Sequence, residues 1–84
     1  LSREEKKMHA IIYTKPNCPK CRMTVNLLSH TMPVQNIKAD ERDYKRFRDI
    51  GYQSMPVVTV YKADGTHDHW CDFQVDKIKQ YTED

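Results

Sequence analysis

Short apolar runs alternate with helically spaced apolar residues along the 84 positions, and the alternation predicts the elements. His9–Thr14 (HAIIYT) reads as a strand centred on the β-favouring Ile11, Ile12 and Tyr13. Lys15-Pro16-Asn17 is a turn. A helix begins at Pro19, because proline at the first helical position gives up an N–H that has no partner there anyway. Met23, Leu27 and Leu28, flanked by Val25, form its apolar stripe, and the helix ends before Pro33. Val34–Ala39 carries a weaker strand pattern through Val34 and Ile37. Glu41–Ile50 is a second helix, with Tyr44, Phe47 and Ile50 turned inward and Gly51 as its stop.

Pro56–Tyr61 (PVVTVY) is the strongest strand in the chain. Lys62–Thr66 turns on Asp64-Gly65, which implies a hairpin into a strand at His67–Cys71. Asp76–Tyr81 closes the pattern as a short helix capped by Asp76. The predicted order is β-α-β-α-β-β-α. Its strand–helix–strand opening gives a parallel pair and its hairpin adds an antiparallel edge. The expected class is α/β, a small mixed sheet covered by helices.

Composition narrows what such a domain can do. With 38% hydrophobic residues, 31% charged residues and a mean hydropathy of −0.87, the chain can build one thin core. Leu1–Lys7 (LSREEKK), directly before Met8, is expected to be a disordered extension or expression remnant, leaving 8–84 as a single domain. The net charge is only +2, and the basic residues of Glu41–Arg46 are interleaved with acids, so nucleic acid is not an expected partner. No stretch approaches a membrane span or a signal peptide. Three cysteines with one close pair suit a reducing cytoplasm better than a secreted disulfide framework.

That close pair is Cys18-Pro19-Lys20-Cys21. Two cysteines so spaced can hold a metal, form a structural disulfide or pass electrons. Their position after a strand and at the opening of a helix favours the last. Unpaired N–H groups and the positive end of the helix dipole favour an anion at Cys18, and such sites lower a cysteine pKa from about 8.5 to roughly 3.5–7.5. Lys15, Lys20 and Arg22 add positive charge, and no acid interrupts Lys15–Val25. Cys18 is therefore expected to be the exposed, attacking thiolate and Cys21 the inward, resolving thiol. Pro19 and Lys20 tune the couple, which is expected to be reducing, at about −200 to −270 mV. Ser54-Met55-Pro56-Val57-Val58 places a proline just before a strand that should lie beside the first. A trans proline starting a strand is one reading. In a redox fold the bond is commonly cis and packs on the cysteine pair, leaving the Met55 backbone free to pair with an extended substrate.

Taken together, YTKPNCPKC, SMPVV and HWCDFQVDKI resemble the NrdH-redoxins, glutaredoxin-like members of the thioredoxin superfamily. The resemblance covers nearly everything from Met8 onward. It implies a thioredoxin fold with a four-stranded mixed sheet and three helices, Cys18 as nucleophile, Cys21 as resolving cysteine and Pro56 as the cis proline. It further implies a protein that reduces class Ib ribonucleotide reductase through its large subunit and receives electrons from NADPH through thioredoxin reductase. No bound cofactor or metal is needed, and a cytoplasmic monomer is expected. Glutathione-using glutaredoxins carry glycines after the last strand, where the tripeptide approaches the backbone, followed by an acid that receives its amino group. Here Trp70 and Phe73 match the W-x-x-F of NrdH-redoxins, Trp70 filling that groove beside the active site. Cys71-Asp72 replaces the usual Ser-Gly, and Val75 replaces a common proline.

Two rival readings stand beside this one. A glutathione-dependent glutaredoxin would use the same pair with another reductant, with Asp72 as a contact. A zinc-binding module would combine His67, His69 and Cys71 with Cys18 and Cys21. Cys71 by itself reads as a buried or half-buried spectator.

Overall fold

The structure, a computed structural model, describes residues 8–82; the Leu1–Lys7 extension lies outside them, as do Glu83 and Asp84. The elements are β1 (His9–Thr14), α1 (Pro19–Ser29), β2 (Val34–Lys38), α2 (Glu41–Asp49), β3 (Val57–Tyr61), β4 (His67–Cys71) and α3 (Val75–Thr82). They follow the predicted order. The sheet runs β2-β1-β3-β4. β1 and β2 are parallel, while β3 is antiparallel to both β1 and β4.

Register assigns the two faces, because directly opposed residues in an antiparallel pair share a face. Ala10 opposes Val60, Ile12 opposes Val58, and Val58 opposes Trp70. These side chains pack with Leu28, Met32 and Ile78 beneath α1 and α3. On the other face Tyr13 opposes Val57 and Val57 opposes Cys71. There Val57 packs with Phe47 of α2, Met55, Ala39 and the two cysteines, Cys18 and Cys21.

The inward stripe of α1 differs from the one predicted. Cys21, Thr24 and Leu28 are buried and Val25 is partly buried, whereas Met23 and Leu27 are 49% and 39% exposed. The spacing 21-24-25-28 is still helical, but it includes a threonine. Thr24 can be fully buried because its hydroxyl donates to the Lys20 carbonyl at 2.8 Å, leaving no polar group unpaired. In α2 Phe47 is buried and Tyr44 half-buried, but Ile50 is 59% exposed because it lies past the last helical turn. That helix opens on Asp40, whose carboxylate accepts the Asp43 amide while Asp43 accepts the Asp40 amide, both at 3.0 Å. Gly51, at φ +93, ends it, its N–H donating a hydrogen bond to the Arg48 carbonyl.

Boundaries at the C-terminal half also shift. β3 starts at Val57 rather than Pro56, since proline has no N–H to enter the ladder. β2 ends at Lys38, one residue short of Ala39. Asp76 is not the cap of α3. The Ile78 amide bonds to the Gln74 carbonyl, so the first turn is already closed from Gln74, and Asp76 sits inside it. Its charge still suits the positive helix end.

Asp68 on β4 ties α3 to the sheet. Its carboxylate accepts from Lys77 Nζ at 2.5 Å and from the Tyr81 hydroxyl at 2.7 Å. Burial alone pushes the Asp68 carboxyl up, but these two donors outweigh it and hold the group below the usual carboxylate range. Burial, then the bond to Asp68, pushes Tyr81 from 10.0 up to about 12.

Two predictions test this packing. Leu28→Ala should destabilise the fold by about 2–5 kcal/mol in urea unfolding, whereas the neighbouring Leu27→Ala should stay within about 0.5 kcal/mol. Equal losses would place the α1 stripe where the sequence pattern had it. Because the folded pKa of Tyr81 is raised, its contribution is whole below pH 10 and lost as pH climbs toward 12. Unfolding midpoints followed across that range should fall more steeply for the parent chain than for Tyr81→Phe.

Candidate functional site

The turn after β1 is shaped to deliver Cys18 to the start of α1. Asn17 takes the left-handed conformation (φ 55), which asparagine tolerates better than most residues. Cys18 follows in extended backbone as the N-cap, and Pro19 occupies the first helical position. The Cys21 amide donates to Cys18 Sγ at 3.2 Å, so the sulfur takes the place a serine or aspartate oxygen would occupy. Cys18 and Cys21 are joined as a disulfide with their Cα atoms 5.2 Å apart.

The sequence predicts Cys18 as the exposed partner. It is instead 5% exposed and Cys21 2%, because the Cys18 sulfur is bonded to Cys21 and packed toward Met55 and Val57. Cys18 nevertheless reaches two clefts. One, of about 270 Å³, is lined by Lys15, Asn17, Pro19, Lys20 and the Gln53–Met55 segment. The other, of about 250 Å³, is lined by Thr14, Lys15, Cys21, Arg22 and Asn36, with the Thr14 hydroxyl donating to Asn36 at 2.7 Å.

The Met55–Pro56 bond is cis. Met55 and Cys18 line the same cleft, and the Pro56 carbonyl accepts the Asp72 amide at 2.8 Å. Of the residues singled out by sequence, Cys18, Lys15, Pro19, Lys20 and Met55 therefore converge on one cleft, with Cys21 in disulfide contact and Pro56 next in chain. Trp70 and Phe73 do not. The Trp70 ring is 4% exposed on the opposite face of the sheet, stacked on Tyr81 with centroids 6.0 Å apart. Phe73 packs against that same cluster. Register explains it: Trp70 opposes Val58, one position removed from the Val57 side that faces the cysteines.

Asp72 is where sequence spacing misled most. No acid interrupts Lys15–Val25 in the chain, yet Asp72 Oδ1 lies 2.8 Å from Lys20 Nζ. The Lys20 ammonium, and then the Phe73 amide, hold the Asp72 carboxyl below its usual range. Its one sequence signal is an aspartate where the NrdH-redoxin resemblance implies glycine, and its φ of 71 is a conformation that favours glycine.

The zinc alternative finds no donor set: among the described residues no three His, Cys, Asp or Glu side chains converge. His69 Nδ1 is instead hydrogen-bonded to the Tyr52 hydroxyl, and Cys71 is a half-buried free thiol. Among the described residues no helix is long and apolar enough to cross a membrane.

Comparison with known proteins places this geometry. A glutaredoxin family model matches residues 10–67. Among solved structures, the glutaredoxin-like NrdH-redoxin of Escherichia coli, described as having a thioredoxin-like activity profile, aligns with a TM-score of 0.69 at 23% identity, over 86% of this chain and 92% of its own. A thioredoxin-like protein aligns at 0.64 with 25% identity, over 86% of this chain and 96% of its own. Thioredoxin f from spinach chloroplast aligns at 0.60 with 10% identity, over 88% and 71%. No curated protein sequence matches. These likenesses show a thioredoxin-like fold. With the family match spanning both the Cys18–Cys21 pair and the cis Met55–Pro56 bond, the chain belongs to the glutaredoxin family and is a glutaredoxin- and thioredoxin-like redox protein.

Proposed function

We propose that this protein is a dithiol–disulfide oxidoreductase of the NrdH-redoxin type, a cytoplasmic monomer that reduces client disulfides. The observation that carries the reading is the Cys18–Cys21 pair at a helix start, with Cys18 lining one cleft together with Met55. In the reduced protein the Cys18 thiolate attacks one client sulfur and displaces the other as a thiolate. Cys21 then attacks Cys18, releases the second client thiol and closes the internal disulfide. Two electrons pass to the client. Met55 presents backbone beside the sulfur, where an extended client segment can pair, and Pro56 fixes that segment. Lys15 and the helix N-terminus favour the thiolate.

The client in this reading is the large subunit of class Ib ribonucleotide reductase, and thioredoxin reductase restores the dithiol with NADPH. Two features support that electron source over glutathione. The acid that would receive a glutathione amino group, Asp72, is already engaged by Lys20 and the Phe73 amide. No glycine follows Gly65 to let a tripeptide approach the loop backbone. The competing reading, a glutathione-dependent glutaredoxin, draws on the same Asp72, whose carboxylate is 41% exposed and reachable if Lys20 moves.

A coupled assay separates the two. NADPH oxidation should proceed with thioredoxin reductase and stall with glutathione plus glutathione reductase; activity confined to the glutathione arm would reverse the assignment. Cys18→Ser should abolish turnover. Cys21→Ser should still attack and accumulate a mixed disulfide visible by intact mass, and normal cycling by that variant would refute the two-thiol mechanism.

A further inference from the structure

Lys20 stands between the two cysteines and lines the cleft with Cys18 and Met55. A free ammonium there would favour the neighbouring thiolate. Lys20 is not free: its Nζ donates to Asp72 Oδ1 at 2.8 Å, across 52 positions of chain. Asp72 in turn is fixed by its own surroundings. Its amide donates to the Pro56 carbonyl and its Oδ1 accepts the Phe73 amide, each at 2.8 Å. Its φ of 71 is a conformation that aspartate adopts more readily than most L-residues. Lys20 and Asp72 are 57% and 41% exposed, so the ion pair adds little to stability. What gives it consequence is that Lys20 lines the same cleft as the reacting cysteine.

We propose that Asp72 is a positioning residue of the redox pair: its carboxylate holds Lys20 on the loop between β4 and α3 and cancels the lysine charge beside the Cys18 sulfur. The assignment rests on Cys18 being the nucleophile. Lys15 and Arg22 are the other charged groups lining the clefts at Cys18, and neither cleft is lined by an acid. Tyr13, Tyr44, Tyr52 and Cys71 are the titratable groups packed around the pair on the α2 side. The Cys18 thiolate therefore draws on Lys15, Arg22 and the helix N-terminus, and on Lys20 only in part. One loop thus serves both halves of the site, since the residue whose amide holds Pro56 also anchors the dipeptide between the cysteines.

Asp72→Asn isolates the charge, because asparagine tolerates the same backbone conformation and still accepts the Phe73 amide. The readout is the pH dependence of iodoacetamide alkylation of the reduced full chain, with the labelled cysteine assigned by mass spectrometry. Asp72→Asn should lower the Cys18 pKa by about 0.5, Lys20→Gln should raise it by about as much, and the double variant should return to within about 0.2 of the parent. High salt should shrink each difference. An unmoved Cys18 pKa in Asp72→Asn, or differences indifferent to salt, would overturn the proposal. If Asp72→Asn does not fold, Lys20→Gln decides alone, and an unmoved pKa there overturns it equally. Labelling of Cys21 ahead of Cys18 in the parent would instead remove the nucleophile assignment, and the proposal with it.

Discussion

The antiparallel pairing of β1 with β3 is the constraint on which the site depends. Tyr13 opposes Val57, so the end of one strand meets the start of the other. Cys18 follows the first strand by a short turn, and Met55-Pro56 immediately precedes the second. The pairing therefore brings two loops far apart in sequence to one end of the sheet. β4 obeys the same geometry from the other side, since Cys71 opposes Val57 and the next residue, Asp72, bonds back to Pro56. Three loops at one sheet end make the site, and hydrophobic pairings within the sheet put them there.

The two faces of that sheet divide the labour. Beneath α1 and α3, fully buried Ile12, Leu28, Val58 and Val60 form the centre of the core, closed by Trp70 and by the Asp68 network. The α2 face is smaller and holds the disulfide among Met55, Val57 and Phe47. α1 joins the two. Cys21 at its first turn looks to the redox face and Leu28 at its last turn to the core, with Thr24 between them bonded to the helix's own carbonyl. A helix anchored this way aims its N-terminus, and the sulfur capping it, at the cleft.

Electrostatics at the cleft are assembled from both ends of the chain. The motif supplies Lys15, Lys20 and Arg22, and the last loop returns Asp72 against the middle one. The net charge near Cys18 is thus set by the folded neighbourhood as well as by the motif's own composition.

Much of this was legible in the residues themselves. Periodicity and turn chemistry determined the element order, because strand runs, an Asp-Gly hairpin and helix boundaries at Pro19 and Gly51 are local physics acting on a few neighbouring residues. The chemistry of the Cys18–Cys21 pair was legible for the same reason, its spacing and helix position being local. Tertiary structure alone decided which α1 residues face inward, since burial of Thr24 over Met23 and Leu27 depends on what the helix packs against. It decided that Trp70 belongs to the core rather than the cleft, through a strand register that shifts every side chain to the other face when moved by one residue. It also set Asp72 against Lys20, a contact across 52 residues that only the meeting of three loops at one sheet end can make.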